Sequence, residues 1–139
     1  MASSTSFGDF SETSAGARST VVLYLRLEGL AVALVTLMLY SRTGANWWLF
    51  LLWPVPDLSM LGYLSRPCRG ARIYNAFHSY ILPALLAISG LLLRSPLAVP
   101  LALIWINHIG IDRMLGYGLK YSDGFAYTHL GRIGRQKAQ

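Results

Sequence analysis

The chain has 139 residues, 54% of them hydrophobic and 13% charged, against a usual charged share of about 25% in soluble globular domains. Twelve Lys and Arg against six Asp and Glu leave a net charge of +6. The positive residues sit in loops and in the tail, which fits topology signals and anionic-lipid contacts and excludes a nucleic-acid surface. One cysteine, Cys68, excludes an intramolecular disulfide and a thiolate metal site within the chain.

The apolar residues come in blocks of bilayer length, which selects a membrane class over a soluble helical bundle, whose helices would be apolar on one face only. Residues 1–19 are rich in Ser, Thr and Gly and read as a disordered leader. Acids ahead of Arg18 and the length of the apolar run that follows speak against a signal peptide. A first membrane helix is expected over about residues 20–40, "VVLYLRLEGLAVALVTLMLY". A second covers about 45–64, "ANWWLFLLWPVPDLSMLGYL", a third about 72–93 and a fourth about 96–117. Residues 20–117 are thus expected to form an all-α, four-helix transmembrane bundle. Residues 118–139 are a basic tail too short to span, with Phe125, Tyr127 and Leu130 suited to the inner interface.

Eight positive residues (Arg18, Arg66, Arg69, Arg72, Lys120, Arg132, Arg135 and Lys137) fall on one side of this scheme, and Arg42 and Arg94 on the other. The positive-inside rule then places both termini in the cytoplasm, with Trp47 and Trp48 at the opposite interface.

Three of the six acids, Glu28, Asp57 and Asp112, and two of the three histidines, His78 and His108, lie inside apolar segments. Ionisable side chains there cost a few kcal/mol, so they face the interior and mark function. At 1.5 Å per residue the five groups share a slab roughly 8–14 Å from the cytoplasmic end, although they come from four helices. His108 and Asp112 are i and i+4, on one face, and Asn75 and His78 are i and i+3. Pro54 and Pro56 break the ladder just ahead of Asp57 and set it in the first turn of a restarted helix, where a carboxylate is favoured.

"DLSMLGY" (57–63) and "DRMLGY" (112–117) nearly repeat, placing two aspartates at similar depth, with Gly62-Tyr63 and Gly116-Tyr117 marking helix ends. Two histidines and two or three carboxylates suit a divalent metal, zinc or manganese. Asp57, His78, His108 and Asp112 are the expected ligands, with Glu28 as the remaining base and a lipid-like or amphipathic substrate reached from the bilayer. Arg26 or Arg113 would receive an anionic head group, and His129 could close the cytoplasmic mouth. Three other readings stay open: a non-catalytic membrane subunit whose polar groups form a structural network, an ion or proton relay, and a haem between the two histidines, which the nearby carboxylates disfavour. Phosphate loops, serine elbows and HExxH are absent.

"YNAFHSYILP" (74–83), "HIGIDRMLGYGLKY" (108–121) and "F-x-x-THLG" (125–131) resemble the signature blocks of a small integral membrane family, domain-of-unknown-function family 4260, over about residues 20–135. A fainter likeness joins "VPDL", "FHSY" and "HIGID" to bacterial inner-membrane proteins described as metal-dependent hydrolases. It implies Asp57, His78, His108 and Asp112 as metal ligands, while Ser59 and Met60 stand where those proteins often have a second acid.

The topology is testable by cysteine labelling in a Cys68→Ser background. A cysteine at Thr43 should react with an impermeant reagent from outside, and one at Ala138 only after lysis. External reactivity at Ala138 would refute it.

Overall fold

The structure is a computed structural model that describes residues 8–121, 127–128 and 130–132. Its framework is helical: α1 (Gly8–Arg42), two 3-10 segments (Trp47–Leu52 and Val55–Leu64), α2 (Pro67–Phe77), α3 (Ile81–Leu92) and α4 (Ala98–Leu115). Two stretches, Ser19–Arg42 and Pro67–Leu92, are long and apolar enough to cross a membrane, which points to membrane association. Large apolar side chains cover the outside, Leu64 and Trp48 among the most exposed at 85% and 74%. An outer surface of that kind is matched to hydrocarbon rather than water.

α4 is the central helix, with Ala102, Leu103, Ile104, Asn107, His108, Ile109 and Gly110 all buried. α1 lies against it along Gly29, Ala33, Thr36 and Tyr40, whose spacing of four, three and four keeps one face. Small residues let the two backbones touch. A Cβ on Gly29 would stand 2.7 Å from Gly110 O, and one on Gly110 would stand 2.9 Å from Gly29 O. Such small-residue contacts are how helices associate where lipid offers no hydrophobic drive. Asn107 fixes the register: its Nδ2 donates to Ala33 O at 2.8 Å and Thr36 Oγ1 at 3.2 Å, and its Oδ1 accepts from Trp53 Nε1 at 3.1 Å. Beyond Asn107 the core is Tyr40, Leu103 and Ile104, with Phe50 and Trp53 packed onto them.

The second expected helix is not α-helical. Its residues form the two 3-10 segments, the first capped by Asn46 Oδ1 accepting from Trp48 N at 3.0 Å. Pro54 and Pro56 each remove a donor from the i→i−4 ladder, so the chain settles into the tighter winding. Gly62-Tyr63 lies in the last turn of the second 3-10 segment, which ends at Leu64 with Ser65 N bonded to Gly62 O, and so falls at an element's end. Gly116 also marks an end: it takes a left-handed conformation (φ 95°), and Tyr117 N reaches back to Asp112 O at 2.7 Å.

The third expected helix is two helices, with the break at residues 78–80. Pro83 has no N–H to give to residue 79, and its ring excludes that carbonyl from the ladder. Phe77 O, left over at the end of α2, accepts instead from Trp105 Nε1 at 2.7 Å. α2 begins at Pro67, so Arg69 and Arg72, expected in a loop, lie on a helix. α1 is helical from Gly8, inside the segment read as a disordered leader, because extending a formed helix costs far less than nucleating one. After α4 the chain folds back: Lys120 bridges to Thr128, and Tyr127–Thr128 pairs antiparallel with Gly131–Arg132. His129 lies outside the described residues, as do residues 1–7 and Phe125.

Gly110→Val puts methyl groups into the α1 backbone. We expect a loss of about 1–3 kcal/mol from overpacking, read as a lower unfolding midpoint in detergent. An unchanged midpoint would deny the close helix contact.

Candidate metal centre

Four side chains meet at the end of α4 nearer the C-terminus. Asp57 comes from the first turn of the second 3-10 segment and His78 from the cap that closes α2. His108 and Asp112 come from one face of α4. Each offers one ligand atom, and all four atoms lie within 4.8 Å of one another. The two Nε2 atoms are 3.2 Å apart. His78 Nε2 is 3.4 Å from Asp57 Oδ1 and 3.5 Å from Asp112 Oδ2. His108 Nε2 is 3.5 Å and 3.7 Å from the same two oxygens.

The hydrogen-bond partners set the character of these atoms. His78 Nδ1 faces Tyr74 O at 3.1 Å, and a carbonyl can only accept. The proton assigned to Nδ1 leaves Nε2 with its lone pair toward the cluster. Tyr74 also stacks on the His78 ring, 3.8 Å between centroids and 10° between planes. An imidazole tied by its far nitrogen to a carbonyl is the outer-shell arrangement that metal-binding histidines usually have. His108 is fully buried against Trp53, and its Nδ1 has no hydrogen-bond partner among the described residues.

Burial is graded around the cluster. Both imidazoles are buried, the Asp112 side chain is 15% exposed and that of Asp57 is 38% exposed. The cluster therefore opens at the Asp57 corner. The chain after α4 closes another side: Asn75 Nδ2 donates to Lys120 O at 2.8 Å, and Lys120 N donates to Asn75 Oδ1 at 2.7 Å. The pair holds the Lys120 ammonium over the Tyr74 ring, 4.8 Å from its centroid. Burial pushes the Lys120 amine below its ordinary value, against the opposing pull of the Asp112 carboxylate.

Of the five ionisable residues expected to converge, the structure brings together the four expected ligands and leaves Glu28 out. Glu28 is exposed on α1, beside Gly29, and the face of α1 that meets α4 carries Gly29 and Ala33 instead. Depth along a helix was right for Glu28, but a residue one position from the buried stripe is turned by about 100°. Arg26 donates to Leu115 O at 2.9 Å, and Arg113 lies over the Tyr80 ring at 4.4 Å. Asn107 turns to α1, as its place beside His108 implies. A haem has no room between nitrogens 3.2 Å apart on rings that meet at 63°. Tyr74 was missed, although its spacing of four from His78 matches that of His108 and Asp112. Lys120 carried no local signal, since its place depends on the fold-back of the tail.

A family model described as Domain of unknown function (DUF4260) matches residues 22–133. No curated protein and no solved structure matches the chain.

Removing the Asn75 side chain breaks both bonds to Lys120. Asn75→Ala should cost about 1–3 kcal/mol and speed tryptic cleavage at Lys120 severalfold. Unchanged cleavage would mean that the clamp does not hold the segment.

Proposed function

The chain belongs to the DUF4260 family, and from the geometry of its polar cluster we propose that it is an integral membrane metalloprotein holding one divalent ion, zinc or manganese. The ligands are Asp57, His78, His108 and Asp112. One observation carries the reading. Five of the six edges between the ligand atoms measure 3.2–3.7 Å. With the sixth edge, between the two carboxylates, no longer than 4.8 Å, the centre of the tetrahedron lies roughly 2.0–2.4 Å from each corner, close to the usual zinc–nitrogen and zinc–oxygen distances.

The donor count supports the same conclusion. Carboxylate oxygens and an imidazole lone pair are acceptors, so the His78 face of the cluster offers no hydrogen to share. Buried acceptors pressed together repel unless a cation sits among them. A purely structural network would instead pair each acceptor with a donor, as Asn107 does with Ala33, Thr36 and Trp53. Imidazole with carboxylate favours zinc or manganese over a soft ion.

Hydrolase-like chemistry is the finer part of the proposal. A divalent ion supplies a Lewis acid for an ester, amide or phosphoryl oxygen. The Asp57 corner, the exposed one, is where water or a substrate oxygen can arrive. Glu28, exposed on another helix face, is not placed to act as base there, so the proton would pass through Asp57. The excess of Lys and Arg over residues 66–72 and in the tail supports an orientation with both termini cytoplasmic and the cluster in the inner half of the bilayer.

Elemental analysis and an absorption spectrum of the purified protein test the proposal. We expect about one zinc or manganese per chain, reduced at least tenfold by His108→Ala. A Soret band would point to haem. A metal-free protein in which His108→Ala lowers only the unfolding midpoint would replace the metal centre by a structural network.

A further inference from the structure

A groove of about 260 Å³ opens on the flank of the molecule between the 3-10 segments and helices α3 and α4. Its walls include Val55 and Pro56 of the second 3-10 segment, Phe77 of α2, Leu86 of α3, and Leu101 and Trp105 of α4. The wall residues carry no charge, and Trp105 Nε1, the one polar side-chain group among them, is already bonded to Phe77 O. The groove is larger than the apolar cavity of about 150 Å³ that takes up benzene in an engineered protein.

Its position ties it to the cluster. Pro56 precedes Asp57, Phe77 precedes His78, and Ile104, also in the wall, lies one turn before His108 on the same face of α4. The groove is thus walled at one end by near chain neighbours of three of the four candidate ligands, although none of the four lines it. It follows α4 back to Leu101, about 10 Å away at 1.5 Å per residue. Leu52, Val55 and Phe77 are exposed at its mouth, within the apolar outer surface.

The chemistry of the walls selects the occupant. A peptide would bring backbone N–H and C=O groups that these walls cannot satisfy, and a polar metabolite would lose its hydration without replacement. A hydrocarbon chain needs no partner, and the surface around the mouth is matched to hydrocarbon. An acyl chain also carries its ester or head group at one end only, and the cluster neighbours the wall at its Pro56, Phe77 and Ile104 end.

We propose that the groove holds one fatty acyl chain of a bilayer lipid, with the polar end of that lipid at the Asp57–His78–His108–Asp112 cluster. What meets the polar end rests on the metal reading, but the binding of the chain does not. The occupant also gives the metalloprotein a substrate class, an acyl lipid entering sideways from the membrane.

The test uses the full chain in phospholipid nanodiscs doped with a phospholipid that carries a diazirine near the end of one acyl chain. After irradiation, adducts are mapped by mass spectrometry. We expect adducts at Leu86, Leu101 and Trp105 at least tenfold above those at Leu23 and Leu34, which are exposed on α1. Leu101→Trp and, separately, Val55→Trp fill the groove from its two ends, and each should cut groove adducts at least fivefold with metal content unchanged. Adducts spread evenly over α1 and the groove, or unaffected by both fillings, overturn the proposal. Groove labelling of a protein that carries no metal would uphold the acyl chain and remove the ion. A metal-loaded protein labelled evenly would overturn the acyl chain and keep the ion.

Discussion

Two carboxylates and two imidazoles share one buried point, and the rest of the architecture answers to that constraint. Four polar groups brought this close must be held together by the scaffold. The scaffold here is α4, the most buried helix, which contributes two of the four groups from adjacent turns of one face. Its position is fixed by α1 through the backbone approach at Gly29 and Gly110 and through Asn107, one residue before His108. The residue that locks the helix register thus sits next to the residue that register must aim.

The other two groups come from places where regular helix fails. Asp57 follows the proline pair that turns its segment into 3-10 winding, and His78 caps α2 just before the break that Pro83 enforces. Regular helices through both positions would have kept their carbonyls bonded within the ladder and their side chains on a fixed spiral. The breaks free the chain to point Asp57 and His78 at α4. They also leave the recess between the 3-10 segments, α3 and α4 that forms the groove. Non-helical backbone at membrane depth is tolerated where protein buries it or a cavity relieves it.

An outer shell around these groups gives them direction. Tyr74 holds His78 in two ways, its carbonyl fixing the tautomer and its ring stacking on the imidazole. Lys120 covers the far face of Tyr74, and Asn75 pins Lys120. Residues 74, 75 and 78 all belong to one short stretch of α2 and its cap, so a single turn of helix sets both a cluster residue and its supports.

Much of this was legible in the sequence. The apolar blocks gave a helical, membrane-matched chain, and the cost of placing a charge in hydrocarbon singled out Asp57, His78, His108 and Asp112. The near-repeat around Asp57 and Asp112 does bring its two aspartates together, though one sits on 3-10 backbone and the other on an α-helix. Hydropathy measures how far along a segment a residue lies, and for these four the depth was informative. It says little about rotation around the axis, so Glu28, at a suitable depth, was assigned to a site that it faces away from. Composition also cannot tell α from 3-10 winding, because both bury the same residues; proline placement hinted at the break without giving its form. The stacking of Tyr74, the return of Lys120 and the groove are relations between segments far apart in the chain. They exist only once α2, α4 and the tail are packed, which is why the sequence alone narrowed the converging groups to five and the tertiary structure decided which four meet and how they are aimed, supported and reached.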